Sequence, residues 1–238
     1  MEELPMGLSP HKEEFLRFSV ASGALEFGSF TLKSGRVSPY FFNAGSFQTG
    51  SQLARLGEFY AAVILEEAPE STIVFGPAYK GIPLCVAAAQ AVESRTGRET
   101  GFLFNRKEEK THGDRGRFVG RLPGPDDRLV LVDDVITDGG TKREAVELLR
   151  ESFRAPIKAL VIAFDRMERS EAGRNAIEDF ENDTGITVHP IVTLADLEAL
   201  MSDAAGKAAG ALAGMPADLP ADLPQQLADY RRRYGVWS

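Results

Sequence analysis

The chain has 238 residues and 43% hydrophobic side chains, enough for one α/β domain with extensions and a true core. Its formal net charge of −8 argues against a general nucleic-acid binder, which needs a basic face. No apolar run is long enough to span a membrane, so neither nucleic acid nor membrane is an expected partner.

Ser9 followed by Pro10 reads as the start of a helix over residues 9–22, with Phe15, Phe18 and Val20 among charges and Gly23 ending it. Residues 24–31 alternate loosely through Leu25, Phe27 and Phe30, as a strand does. A Lys33-Ser34-Gly35-Arg36 turn follows, then a second extended piece over 37–43. In that piece Phe41 and Phe42 must point to opposite faces, so at most one enters the core unaided. The other could pack as core or interface, or stack on a planar ligand.

Residues 52–68 place Leu53, Leu56, Phe59, Tyr60, Val63 and Ile64 on one face of a 3.6-period helix. Residues 71–75 are a buried strand that ends in Gly76-Pro77-Ala78-Tyr79-Lys80-Gly81, and a helix continues over 82–94 with Pro83 in its first turn. The glycine spacing is that of a Walker loop, but Ile82-Pro83 stands where Lys and Ser or Thr should, so the ATPase reading fails. Cys85, the only cysteine, lies between Leu84 and Val86 and is expected to be a small core residue. With no disulfide possible within the chain, and no basic-then-apolar layout in residues 1–11, a cytoplasmic location is expected.

A strand over 101–105 leads into the segment 106–117, which is highly charged, bounded by glycine and nearly free of apolar residues. Such a segment is a solvated linker or a mobile loop. Arg106, Lys107, Lys110 and His112 concentrate positive charge there in an otherwise acidic protein, which suits closure over a polyphosphate. The centre of the chain is Leu129-Val130-Leu131-Val132-Asp133-Asp134, a strand buried on both faces that ends in two acids. Val135, Ile136, Thr137, Asp138, Gly139, Gly140 and Thr141 make the turn to a helix over 142–153. Glycines there and a helix N-terminus form a cradle for phosphate. Two acids repel phosphate, so they face sugar hydroxyls, hold a metal, or merely cap the strand; Asp138 and Thr141 could likewise simply start the helix. Hydrophobic strand, acidic pair and Gly-rich turn in one order favour a ligand site. Further on, residues 157–164 and 186–192 read as strands, and 173–184 and 194–202 as helices. Ala-, Gly- and Pro-rich sequence then runs to Pro224, with a short helix at 225–233.

The acidic-pair turn resembles the ribose-phosphate loop of the type I phosphoribosyltransferases. Phe-Thr-Leu-Lys-Ser-Gly-Arg (30–36), Phe-Phe-Asn-Ala-Gly (41–45), Gly-Pro-Ala-Tyr-Lys-Gly (76–81), Asn-Arg-Lys-Glu-Glu-Lys-Thr-His-Gly (105–113) and Asp-Arg-Met-Glu-Arg (165–169) occur in order. Together they resemble the orotate phosphoribosyltransferase family over roughly residues 10–202. The resemblance implies an α/β fold with a parallel sheet flanked by helices, as in the type I phosphoribosyltransferases, with a small N-terminal β-rich cap. Its expected spans are 1–45 for the N-terminal helix and cap, 46–202 for the core and 203–238 for a partly helical C-terminal extension.

It also implies an activity: orotate and phosphoribosyl pyrophosphate give orotidine 5-phosphate and pyrophosphate, with Mg2+ held mainly by substrate and water. By matching position, Lys33, Tyr79, Lys80, Arg106, Lys107, Lys110 and His112 would surround the phosphates. Asp133 and Asp134 would hold the ribose hydroxyls, and Val135 to Thr141 would cradle the 5-phosphate. Phe41 and Phe42 would pack on orotate, while Thr137 and Arg166 would meet its polar edge. Lys110, His112, Asp133 and Asp134 are the implied catalytic groups. The basic loop would reach a neighbouring subunit's site, giving a homodimer with shared sites. Relatives often carry Thr where this chain has Gly140 and a small residue where it has Asp138. The alternatives are a phosphoribosyltransferase for another base, to which Arg166 would be surplus, or a silent sensor of the sugar donor, which could dispense with the basic loop.

Overall fold

The computed structural model describes residues 8–32, 34–107, 116–137, 139–170, 173–206 and 219–236. Lys33, Lys110, His112 and Asp138 lie outside the described residues, so the roles expected of them receive no geometry.

Ser9 caps α1 (Pro10–Ala21), its hydroxyl accepting from the Lys12 N–H at 3.4 Å. β1 (Leu25–Thr31) and β2 (Val37–Phe42) pair antiparallel, and a single 3-10 turn, Ala44–Ser46, follows. α2 (Gly50–Glu67) begins two residues earlier than its apolar periodicity shows, because Thr49 and Gln52 form a capping box. β3 (Ile73–Phe75) leads to α3 (Gly81–Thr96), and β4 (Gly101–Asn105) precedes a short strand, β5 (Phe118–Gly120). β6 (Leu129–Val135) feeds α4 (Gly140–Ser152), and β7 (Ile157–Asp165) is followed by α5 (Ala176–Thr184). The chain closes with β8 (Val188–Thr193), α6 (Leu194–Gly206) and α7 (Leu223–Tyr234).

Six strands form one sheet in the order β5-β4-β3-β6-β7-β8. β3 runs parallel to β4 and to β6, as expected of fully buried strands. The expected parallel sheet is extended by one antiparallel edge strand: β5 runs antiparallel to β4, so the sheet as a whole is mixed. The cause is local. The Arg106 N–H bonds the Arg117 carbonyl at 2.7 Å, so the two ends of the basic segment meet and β5 returns alongside β4.

The chain falls into two compact units, Met1–Phe47 with Phe164–Asn175 and Val192–Ser238, and Gln48–Ala163 with Ala176–Ile191. The second holds most of the sheet. Phe75, Leu103, Leu131, Leu160, Ile162 and Phe180 are its buried centre, each contributing about 1.5–3 kcal/mol through burial. Cys85 is buried there, as expected. The first unit is built on aromatic packing. Phe42 stacks on Phe164 at 5.4 Å between ring centres, Tyr40 lies 5.6 Å from Phe164, and Phe18 stacks on Phe47 at 5.0 Å. Among the described residues no helix is long and apolar enough to cross a membrane.

Candidate active site

In the larger unit everything converges on the carboxyl end of β6, where open α/β sheets bind ligands. Asp133 and Asp134 are both buried there, and each has its own lysine. Lys142 Nζ lies 2.5 Å from Asp133 Oδ2, and Lys80 Nζ lies 2.7 Å from Asp134 Oδ2. The backbone fixes them further: the Asp134 N–H donates to Asp133 Oδ1 at 2.9 Å, and the Val135 N–H to Asp134 Oδ1 at 2.8 Å. Tyr60 Oη donates to the Asp133 carbonyl at 2.7 Å from beneath. Burial pushes the Asp133 carboxyl above the usual carboxylate range, aided by the charge of Asp134 and opposed by Lys142. Burial also lifts the Tyr60 hydroxyl well above its ordinary value, with both acids adding to the effect. A neutral Tyr60 therefore remains a donor.

Beyond β6 the Ile136 side chain is buried and Thr137 is exposed. Gly139 caps α4 with φ +75° and provides no side-chain cap, so the start of the helix carries the partial positive charge and backbone N–H groups that suit an anion. No acidic residue stands in the first turn of α4 to repel an anion.

The turn after β3 faces the same end of the sheet. A Cβ on Gly76 would lie 2.0 Å from the Gly81 carbonyl oxygen, so only glycine lets the loop close on itself. From the end of β4, Asn105 Oδ1 accepts from the Ala78 N–H at 2.9 Å and pins the loop. The Tyr79 ring is 68% exposed, and Lys107 Nζ sits 5.1 Å above its centre. Between this turn, the ends of β4 and β5 and the first turns of α4 lies a cleft of about 630 Å3, lined among others by Pro77, Arg106, Lys107, Arg117, Thr141 and Glu144. Its size is that of a site for a small metabolite. Three cations on its wall suit a polyanion.

Of the residues expected at the donor site, Tyr79, Lys80, Arg106, Lys107, Asp133, Asp134, Val135, Ile136, Thr137, Gly139, Gly140 and Thr141 all belong to this unit. Sequence reasoning missed Lys142, Asn105, Tyr60 and Arg117 here. For Lys142 a signal existed: it shares the buried face of α4 with Ala145, Val146 and Leu149, where a lysine needs a partner.

The smaller unit holds Phe41, Phe42 and Arg166. Phe42 is buried between Phe15 and Phe164, whereas Phe41 is 36% exposed and stacks on Phe30 at 5.6 Å. The adjacent rings thus part to opposite faces as the strand dictates, and Phe41 is the one with surface to offer a ligand. Arg166 is buried, with Nε donating to Glu168 Oε1 at 2.8 Å and Nη2 2.6 Å from the same oxygen. Its guanidinium carbon lies 4.7 Å from the centre of the Tyr40 ring. Glu168 is a further residue that sequence reasoning left out.

The phosphoribosyl transferase domain model matches residues 43–190. An orotate phosphoribosyltransferase from Thioalkalivibrio sulfidiphilus is 47% identical over 200 residues, covering 84% of this chain and 92% of that protein. The chain belongs to the orotate phosphoribosyltransferase family. A second orotate phosphoribosyltransferase, from Vibrio cholerae, is 46% identical over 80% of this chain and 88% of its own length. The crystal structure of the orotate phosphoribosyltransferase of Francisella tularensis superposes with a TM-score of 0.77 at 32% identity, covering 94% of this chain and all of that one. The fold of this orotate phosphoribosyltransferase family member is accordingly the type I phosphoribosyltransferase fold, a mixed sheet flanked by helices with a small antiparallel N-terminal sheet.

Proposed function

We propose that the chain transfers ribose 5-phosphate from phosphoribosyl pyrophosphate to orotate, giving orotidine 5-phosphate and pyrophosphate in pyrimidine biosynthesis. The observation that carries this reading is the end of β6: two buried, lysine-matched carboxylates directly before a glycine-capped helix N-terminus. A sugar phosphate needs both features, hydroxyl acceptors and a phosphate cradle. Membership of the family supplies the choice of base.

In the reaction the bond from the anomeric carbon to pyrophosphate oxygen breaks, and the pair of electrons leaves with pyrophosphate. A bond from the base nitrogen to the same carbon replaces it. No side chain needs to attack. The protein holds the donor, neutralises the leaving group and aims the base. Asp133 and Asp134 would accept from the ribose hydroxyls and favour the positive charge that builds on the ring. Val135, Ile136, Thr137, Asp138, Gly139, Gly140 and Thr141 would hold the 5-phosphate. Lys33, Tyr79, Lys80, Arg106, Lys107, Lys110 and His112 would surround the pyrophosphate, and Lys110 or His112 would take up the proton that the base nitrogen loses. Phe41, backed by Phe30, would stack on orotate, while Phe42, expected there too, is instead buried against Phe15 and Phe164; Thr137 and Arg166 would meet the polar edge of the base. A guanidinium suits a carboxylate because the two form paired hydrogen bonds.

Among the described residues no cluster of three or more His, Cys, Asp or Glu side chains forms a metal cage. Mg2+ keeps several waters and takes substrate phosphate oxygens, so it would be held mainly by substrate and water, while Asp133 and Asp134, each paired with a lysine, serve the ribose hydroxyls. When bound, Mg2+ would offset phosphate charge and act as a Lewis acid on the donor's oxygens. Resemblance further supports a homodimer whose basic segments serve each other's sites. The single, buried Cys85 accords with a reducing cytoplasm.

A spectrophotometric assay of orotate loss, with the sugar donor and Mg2+ present, tests the proposal. Donor-dependent loss is expected. No loss of orotate, with turnover of a purine base instead, would overturn it.

A further inference from the structure

α7 lies outside the span of the sequence resemblance, yet it belongs to the unit that carries Arg166. It is anchored through Leu223, Leu227 and Tyr230, all buried, and through Arg231 Nη1, 2.6 Å from Glu198 Oε2 on α6. Its end is tied to the chain just after β7. The Arg169 N–H donates to the Tyr234 carbonyl at 2.9 Å, and the Val236 N–H to the Met167 carbonyl at 2.8 Å. Those two bonds straddle Glu168. Met167 itself has φ +51°, a conformation that a side chain larger than glycine rarely takes and that surrounding contacts must hold.

The side chains converge as well. Tyr230 Oη donates to Glu168 Oε1 at 2.8 Å and stands 3.4 Å from Arg166 Nη2. The Tyr230 ring meets Tyr40 edge-on at 6.0 Å between centres, and Tyr40 in turn lies under the guanidinium. Arg36 Nη1 approaches the other oxygen of Glu168 at 3.3 Å, while its guanidinium carbon lies 5.0 Å from the centre of the Tyr234 ring. Burial, followed by the charge of Glu168, pushes the Tyr230 hydroxyl up to about 12, so it stays a donor at neutral pH. Glu168 engages Nε and Nη2 of Arg166, and Nη1 has no hydrogen-bond acceptor among the described residues. A guanidinium has two edges that can take a carboxylate. One is occupied here by Glu168; on the other, Nη2 also donates to Ser38 Oγ and Tyr230 Oη, each at 3.4 Å, and Nη1 is left for a ligand.

We propose that α7 is a positioning element for the acceptor base: Tyr230, acting through Glu168, sets the tilt of Arg166 so that its remaining edge meets the carboxylate of the pyrimidine. The inference rests on the assignment of Arg166 to that carboxylate. Tyr230 is a positioning residue, since it acts through Glu168 and Arg166.

Tyr230→Phe keeps the ring and removes the hydroxyl. The expected result is a KM for orotate raised at least about 10-fold, the low end for one hydrogen bond to a charged group. The KM for the sugar donor should stay within about twofold, while the thermal midpoint falls only by the few degrees that one lost hydrogen bond costs. Arg166→Ala is run beside it and should raise the KM for orotate at least about 100-fold. If Arg166→Ala leaves that constant unmoved, the assignment of Arg166 fails. If Arg166→Ala moves it and Tyr230→Phe does not, α7 has no such role. A Tyr230→Phe variant in which both KM values rise together, or only the thermal midpoint falls, would make the helix a structural brace and refute the proposal.

Discussion

Lys142 shows how much one side chain can decide. It is buried with Asp133 at 2.5 Å, so the pair has left water together. Removing one member strands the other's charge, which costs about 3–5 kcal/mol in such pairs. Lys142→Met should therefore destabilise the fold by about that much in urea unfolding. The Lys142→Met, Asp133→Asn double variant should recover most of the loss. A double variant as unstable as the single one would show that the lysine acts by packing alone. Cys85 gives a pH-dependent counterpart. Burial pushes its thiol up to about 12, whereas an unfolded chain deprotonates it near pH ~8.5. Between those values the folded state holds a proton that the unfolded state has lost. Its contribution is intact below the unfolded value and is lost as pH rises, by about 1.4 kcal/mol per pH unit. From pH 8 to pH 10 the native chain should lose about 2 kcal/mol more stability than Cys85→Ala; parallel losses would refute this. At this scale the sequence was readable where chemistry and order coincide, as at Asp133 and Asp134. It was not readable where a residue's partner is distant. Glu168 and Tyr230 are 62 positions apart, and nothing in either neighbourhood announces the other.

Elements were legible to the extent that their signal is periodic. The long helices and buried strands emerged from the spacing of apolar residues, and their ends moved by a residue or two where caps decide. α2 is the clearest case. Its periodicity begins at Gln52, but the helix starts at Gly50, because Gln52 Oε1 accepts from the Gln48 and Thr49 N–H groups at 2.9 and 3.0 Å. Thr49 Oγ1 accepts in return from the Gln52 N–H at 3.2 Å. The signature Thr-x-x-Gln was in the sequence and names the helix start directly. β5 escaped notice for the opposite reason: three residues at a sheet edge carry no period at all. The cap yields a prediction of its own. Thr49→Ala should cost about 1 kcal/mol, lowering the thermal midpoint by roughly 2–4 °C in a chain of this size. Since Thr49 lies outside the proposed machinery, kcat and both KM values should not change. A shift in the KM for either substrate would mean that the start of α2 reaches the site.

At the scale of the molecule, the sequence reads as three consecutive spans, whereas the compact units draw their segments from several places along the chain. The smaller one gathers the N-terminus, the segment after β7 and the C-terminal helix. Periodicity tells which face of a helix is buried but not against what, so a linear reading leaves α7 as an appendage. Assembly beyond the single chain is where the proposed mechanism is most exposed to refutation. If the basic segment of one subunit completes its partner's site, Lys110 and Asp134 of a working site come from different chains. Lys110→Ala should then lower turnover about 10- to 1000-fold, through lost charge stabilisation, and Asp134→Asn should do so by loosening the hold on the ribose. Two differently tagged chains, one carrying each substitution, can be co-expressed and the mixed dimer purified. In a symmetric dimer with shared sites, one of its two sites receives both defects and the other neither, so about half of native activity should return. Were each chain to use its own segment, both sites would carry one defect and no activity would return. A chain that sediments as a monomer under assay conditions while turning over orotate at its full rate would exclude shared sites altogether.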